Sequence, residues 1–158
     1  MERTMGAHVL LQSESNPALN TVTAYGQGYV EINAVQYEHA VYFGPAGDVS
    51  RLEAASAADF TEALLRQIAG LDTTSADPLA FLDADTAPAR PDDAPEVILV
   101  GTGLKQRFLA PEAVRPLIRM GIGVEAMTTQ AAARTYNILM AEGRHVIVAL
   151  LPHEEAQP

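Results

Sequence analysis

The sequence predicts an α/β domain in which an antiparallel β-meander precedes a largely parallel sheet with flanking helices. Three observations carry this. Residues 21–43, "TVTAYGQGYVEINAVQYEHAVYF", alternate apolar and polar side chains as half-buried strands do. From residue 96, apolar runs of strand length alternate with stretches of helix length. Between them, residues 71–95 carry six acids, one arginine and four prolines, the composition of an extended loop or linker.

In the meander, Val30 and Ile32 are apolar with Glu31 between them, and the phase flips so that Val35, Tyr37, Val41 and Phe43 form the next apolar set. A two-residue turn at Asn33-Ala34 explains the flip, because it sets Ile32 opposite Val35. Gly26-Gln27-Gly28 marks an earlier turn. A helix is expected from Ser56, "SAADFTEALLRQIAG", with Ser56 and Asp59 as a capping-box-like pair. Phe60, Leu64, Leu65 and Ile68 form its apolar stripe, and Gly70 stops it. Asp83 and Asp85 resemble the start of a calcium loop, but the glycine and terminal glutamate that such a loop needs are missing.

The second half reads as Val97–Val100 strand, Pro111–Met120 helix, Val124–Met127 strand, Thr129–Glu142 helix and Val146–Leu151 strand. Pro111 suits the first helical position, and Gly121 and Gly143 follow the two helix ends. Sequential βαβ units imply parallel strands joined by right-handed crossovers.

Composition narrows the function. The chain has 158 residues, enough for one domain with a real core, and 48% of them are hydrophobic. It has no cysteine, which excludes disulfides, thiolate metal sites and a cysteine nucleophile. Val146–Leu151 falls far short of the ~20 apolar residues of a membrane span. The start, "MERTMGAHVLLQ", lacks signal-peptide and transit-peptide character, so a cytoplasmic protein is expected. The net charge of −10 comes from residues 1–95, with fourteen Asp/Glu against four Lys/Arg; residues 96–158 have six of each. Such a surface disfavours nucleic acid as a partner.

The candidate chemistry lies at strand ends. Gly101-Thr102-Gly103 follows a strand, but Gln106 occupies the third position of a dinucleotide fingerprint, and no Walker sequence is present. Thr128-Thr129 stands at a helix N-terminus, where free N–H groups favour an anion, with Lys105 and Arg107 downstream of the first loop. Glu125 is unusual for a buried parallel strand and is expected to sit at an exposed end or to pair with Arg144 or Arg134. A structural role would make Glu125→Gln lower the melting temperature. Asn137 flanks the stripe Ala132, Ala133, Tyr136, Leu139 and Met140 and is expected to bond a nearby loop. His8, His39, His145 and His153 form no zinc pattern, and no nucleophile elbow appears.

Three segments together, "VILVGTGLKQRF", "GIGVEAMTTQAAARTYNILMAEGRHVIVALLP" and the meander, resemble a domain-of-unknown-function family of small proteins. That family includes the mitochondrial respiratory complex I assembly factor 3. The resemblance spans residues 20–152 of what reads as a single domain, 1–158. It implies a three-layer β+α/β/α fold with a mixed central sheet, and action by binding other proteins. It carries over no catalytic residue and no cofactor. The matching positions are Gly101, Thr102, Gly103, Gly121, Glu125, Thr135, Tyr136, Asn137, Glu142 and Arg144. The hairpin departs from the family's Asn-Gly turn, and the missing import sequence points to a bacterial member.

The expectation is a non-catalytic accessory protein that acts through protein–protein binding, possibly as an assembly factor for a respiratory NADH:quinone oxidoreductase or related complex. The alternative is a small-anion-binding protein or an enzyme using the edge at Gly101–Gly103 and Thr128. The candidate binding residues are Gly101, Thr102, Gly103, Arg107, Glu125, Thr128, Asn137 and Arg144, with no metal and no cofactor.

Overall fold

The computed structural model describes residues 9–10, 19–71 and 94–152. The acidic segment read as a loop, together with Asp83, Asp85, His8 and His153, lies outside them apart from its ends. A four-stranded antiparallel sheet runs in the order β1 (Val9–Leu10), β2 (Val22–Gly26), β3 (Tyr29–Ile32) and β4 (Val35–Tyr37). The second sheet is mixed. Its order is β6 (Ser50–Arg51), β5 (Val41–Phe43), β9 (Val146–Leu150), β7 (Val97–Gly101) and β8 (Gly123–Met127). Strand β7 pairs parallel with both β8 and β9, so the three late strands are parallel as expected. The mixed character comes from β5, which pairs antiparallel with β9.

The helices are α1 (Glu62–Ile68), α2 (Pro111–Arg119) and α3 (Thr129–Ala141). Alternation along β7 divides its side chains between two cores. Ile98 and Val100 pack with Phe60, Leu65, Ile68 and Leu117 under α1 and α2. Val97 and Leu99 face the other way, with Val22, Ile32, Phe43, Ala132 and Tyr136 under the meander and α3. These are the three layers. Each fully buried Leu or Ile contributes about 1.5–3 kcal/mol relative to exposure.

The stretch from Ser56 is two elements, not one helix. The Asp59 carboxylate accepts from the N–H groups of Ala55 and Ser56, which closes a single 3-10 turn over Ala57–Asp59. Phe60 then leaves helical geometry to enter the core, and Thr61 caps α1 by accepting from the Leu64 N–H. The Asn33-Ala34 turn does form, with Ile32 opposite Val35 as expected. Its residues have φ of 53° and 68°, the left-handed pair of a type I′ turn.

Ala34 therefore sits where a Cβ costs about 1–2 kcal/mol. The Thr23 hydroxyl, 3.0 Å from the Ala34 N–H, helps to hold it there. Ala34→Gly should stabilise the fold by about 1 kcal/mol, less the extra unfolded-state entropy of glycine. A melting curve should show a rise of a few degrees; an unchanged or lower Tm would contradict the strain.

Candidate functional site

The candidate residues fall into four separate places. At the C-terminal end of β7, the chain turns through Thr102 and Gly103 directly onto the start of α3. A Cβ on Gly101 would stand 2.8 Å from the Thr129 Cα, so glycine is what lets strand and helix meet. The Thr129 hydroxyl is fully buried, accepts from the Gly103 N–H at 2.9 Å and donates to the Leu151 carbonyl. The Thr129 N–H returns a bond to the Gly103 carbonyl at 2.9 Å. Thr102 is equally committed. Its N–H donates to the Met127 carbonyl, and its hydroxyl accepts from the Arg107 N–H at 3.1 Å and faces the Lys105 carbonyl at 2.8 Å.

Thr128 caps α3 by accepting from the Ala131 N–H at 3.1 Å. Of the N–H groups at this edge, those of Gly103 and Thr129 already serve the loop–helix clamp, and that of Ala131 serves the cap. Arg107 contributes its backbone here, while its side chain is exposed.

Asn137 belongs to a different interface, between α3 and the meander. Its Oδ1 accepts from the Val22 N–H at 3.0 Å, and its Nδ2 donates to the Val22 carbonyl at 2.9 Å. Strand β2 has a bulge between Val22 and Ala24, and among the described residues β1 pairs with Ala24 and Tyr25. The outward backbone groups of Val22 thus meet a side-chain amide in place of a strand. The expected partner was a nearby loop; the partner found is a strand 115 residues away.

Tyr136 works beside it. The ring meets Phe43 edge-on at 5.0 Å, and the buried hydroxyl donates to the Asn20 carbonyl at 2.8 Å. Burial pushes its phenol well above the ordinary tyrosine range. Asn20 extends the network, donating to the carbonyls of Gly44 and Gly47 and accepting from Asn33 Nδ2 at 2.8 Å. Asn33 in turn accepts from the Thr21 N–H at 3.0 Å. Asn20 was not singled out from sequence, and Asn33 was read there only as a turn residue.

Glu125 and Arg144 do not meet. Strand β8 is the edge of its sheet and Glu125 is exposed, so its carboxylate stays in water. The expected pairs with Arg144 or Arg134 are absent. Arg134 donates to the Tyr25 hydroxyl at 3.1 Å. Arg144 lies at the opposite end of the parallel strands and pairs with Glu96 at 3.4 Å, both half exposed. Glu125→Gln should therefore move stability by less than about 0.5 kcal/mol, where a structural role would have lowered it further. A clear drop in Tm would restore a structural role to the carboxylate.

A further surface emerges that no motif indicated. A groove of about 450 Å3 runs between α2 and β8, lined by Phe108, Leu109, Val114, Ile118, Val124 and Ala126. Phe108 is 87% exposed and Ile118 54% exposed. Among the described residues, no group of three metal-ligating side chains converges, and no helix is long and apolar enough to cross a membrane.

Comparison with known proteins places the chain. A family described as "protein of unknown function (DUF498/DUF598)" matches residues 22–151. The solution structure of a Bordetella pertussis protein, described as a Mth938-like domain, is 58% identical, with a TM-score of 0.72 over 94% of this chain and 95% of that one. A Bordetella parapertussis crystal structure is 55% identical, with a TM-score of 0.69 over 85% of this chain and 97% of that one. Mouse NADH dehydrogenase [ubiquinone] 1 alpha subcomplex assembly factor 3 is 40% identical over 57 residues, covering 36% of this chain and 31% of that protein. A Francisella tularensis protein named 13 kDa major membrane protein is 40% identical over 52 residues, 33% of this chain and 42% of that one. The chain thus spans about a third to two fifths of the length of these two relatives. With the match running from β2 to just past β9, the chain belongs to the family of proteins of unknown function DUF498/DUF598.

Proposed function

We propose that this chain is a non-catalytic accessory protein of the cytoplasm, which acts by binding other proteins and assists assembly of a respiratory NADH:quinone oxidoreductase. The observation that carries this reading is the use of the family-like signature residues. Thr102, Tyr136 and Asn137 each spend their polar atoms on backbone groups of the chain itself, and the candidate Thr128 does the same as a helix cap. Residues so committed hold a scaffold and offer little to a substrate. The name of the mouse relative supplies the client class. The anion-binding alternative would compete with the loop–helix clamp for the N–H groups of Gly103 and Thr129, and no observation favours it over the protein-binding reading.

Deleting the gene in the native host should lower the amount of assembled NADH:quinone oxidoreductase several-fold in native gels of isolated membranes. Re-expression should restore it. Normal levels of assembled and active complex in the deletion strain would overturn the assembly role.

A further inference from the structure

We propose that the groove between α2 and β8 docks an extended, acidic segment of a partner protein, with its apolar side chains seated against Phe108, Ile118 and Val124. The proposal rests on the protein-binding reading and names the surface and the chemistry of its occupant. Three independent features of the groove define that occupant.

The first is apolar. Phe108 and Ile118 stand largely in water at the rim of a concave surface whose floor is Val124 and Ala126. Covering such side chains is favourable by roughly 25 cal/mol per Å2 of apolar area.

The second feature specifies a polypeptide. In a parallel pair, alternate residues direct their backbone groups to opposite sides. Gly123 donates to the Glu96 carbonyl and Met127 accepts from the Thr102 N–H, so the odd-numbered residues of β8 turn to β7. Val124 and Ala126 consequently present their backbone groups to the outer edge, where the described residues place no strand. A side chain already acts as a partner there: Gln106 Nε2 donates to the Ala126 carbonyl at 3.0 Å. An extended segment added to β8 would satisfy these groups along its length and lay alternate side chains into the groove.

The third feature is charge. Residues 105–119 hold Lys105, Arg107, Arg115 and Arg119 against a single acid, Glu112, in a chain whose net charge is −10. All four cations are exposed, Arg115 lines the groove, and none forms an ion pair with a described carboxylate. An apolar groove lined by Arg115, with three more exposed cations close by in sequence, complements a segment carrying both carboxylates and apolar side chains. It also disfavours a second copy of this chain, because a two-fold pairing through this face would bring Arg115 of one copy towards the same basic stretch of the other.

The test uses the isotope-labelled full chain, titrated in an NMR experiment with a blocked synthetic peptide of about ten residues, the upper range of strand lengths. The peptide alternates Glu with Leu and Phe, and a control carries Lys in place of each Glu. The acidic peptide should shift the amides of Val124, Ala126 and Phe108, and the control should not. Phe108→Ser and Arg115→Glu alter exposed side chains; each should weaken binding at least tenfold while leaving the spectrum folded. Added salt should weaken it further.

Equal shifts with the control, or none at the groove, would overturn the proposal. So would groove shifts that appear on raising protein concentration without peptide, which would assign the surface to a second copy. Groove shifts from phosphatidylglycerol vesicles but not from the peptide would assign it to a membrane. If the peptide fails but partner subunits still co-purify in the host, the docking surface lies elsewhere and the protein-binding reading stands.

Discussion

Asn137→Ala should cost about 2–4 kcal/mol of folding stability. The amide makes two bonds to the backbone of Val22, a residue with no exposed surface. Removing it leaves one N–H and one carbonyl without partners beneath α3, and each orphaned buried group costs about 1–3 kcal/mol. Asn137→Asp separates donation from size. It keeps an acceptor for the Val22 N–H but sets an oxygen against the Val22 carbonyl, which Nδ2 now meets at 2.9 Å. Both variants should melt well below wild type at neutral pH. Hydrogen exchange should show the meander losing protection before the five-stranded sheet. A Tm for Asn137→Ala within a degree of wild type would contradict the bridging role.

Tyr136→Ala should cost about 3–5 kcal/mol, the range for removing a buried aromatic ring, because the ring fills the space between α3 and Phe43. Tyr136→Phe keeps the ring and removes one bond to the Asn20 carbonyl, a loss of about 1–2 kcal/mol. The phenol adds a pH signature. Its folded pKa lies above the unfolded value of about 10, so its proton is held equally by both states below that pH. Above about pH 10 the unfolded chain loses the proton while the folded chain keeps it, and stability falls as pH rises. Tyr136→Phe should therefore show a shallower decline of Tm above pH 10 than wild type. Parallel curves for the two proteins would mean that this phenol ionises without regard to folding.

What the sequence made legible was local. The Asn33-Ala34 turn was readable because the phase of Val30, Ile32, Val35 and Tyr37 flips within a few residues. The βαβ run was readable because Pro111, Gly121 and Gly143 punctuate it at helix ends. Which of the two expected environments Glu125 takes was not readable, because strand order is not local. Strand β9 joins β7 on the side away from β8, and β5 then covers β9, which leaves β8 at the edge. The bond from Asn137 to Val22 spans 115 residues, so no spacing rule could name the partner, although the pairing of Tyr136 with Asn137 at the stripe's border did mark the place. The groove escaped because Phe108 lies in an irregular stretch, where apolar periodicity carries no information about exposure.

These positions describe a protein whose family-like signature builds a scaffold and whose open surface lies beside β8. The most direct test of that account is affinity purification of the tagged chain from its native host, with quantitative mass spectrometry against a tag-only control and a Phe108→Ser chain. The account predicts that subunits of a respiratory NADH:quinone oxidoreductase co-purify with the wild-type chain and fall several-fold with Phe108→Ser. A wild-type chain that recovers no protein above the control would contradict it.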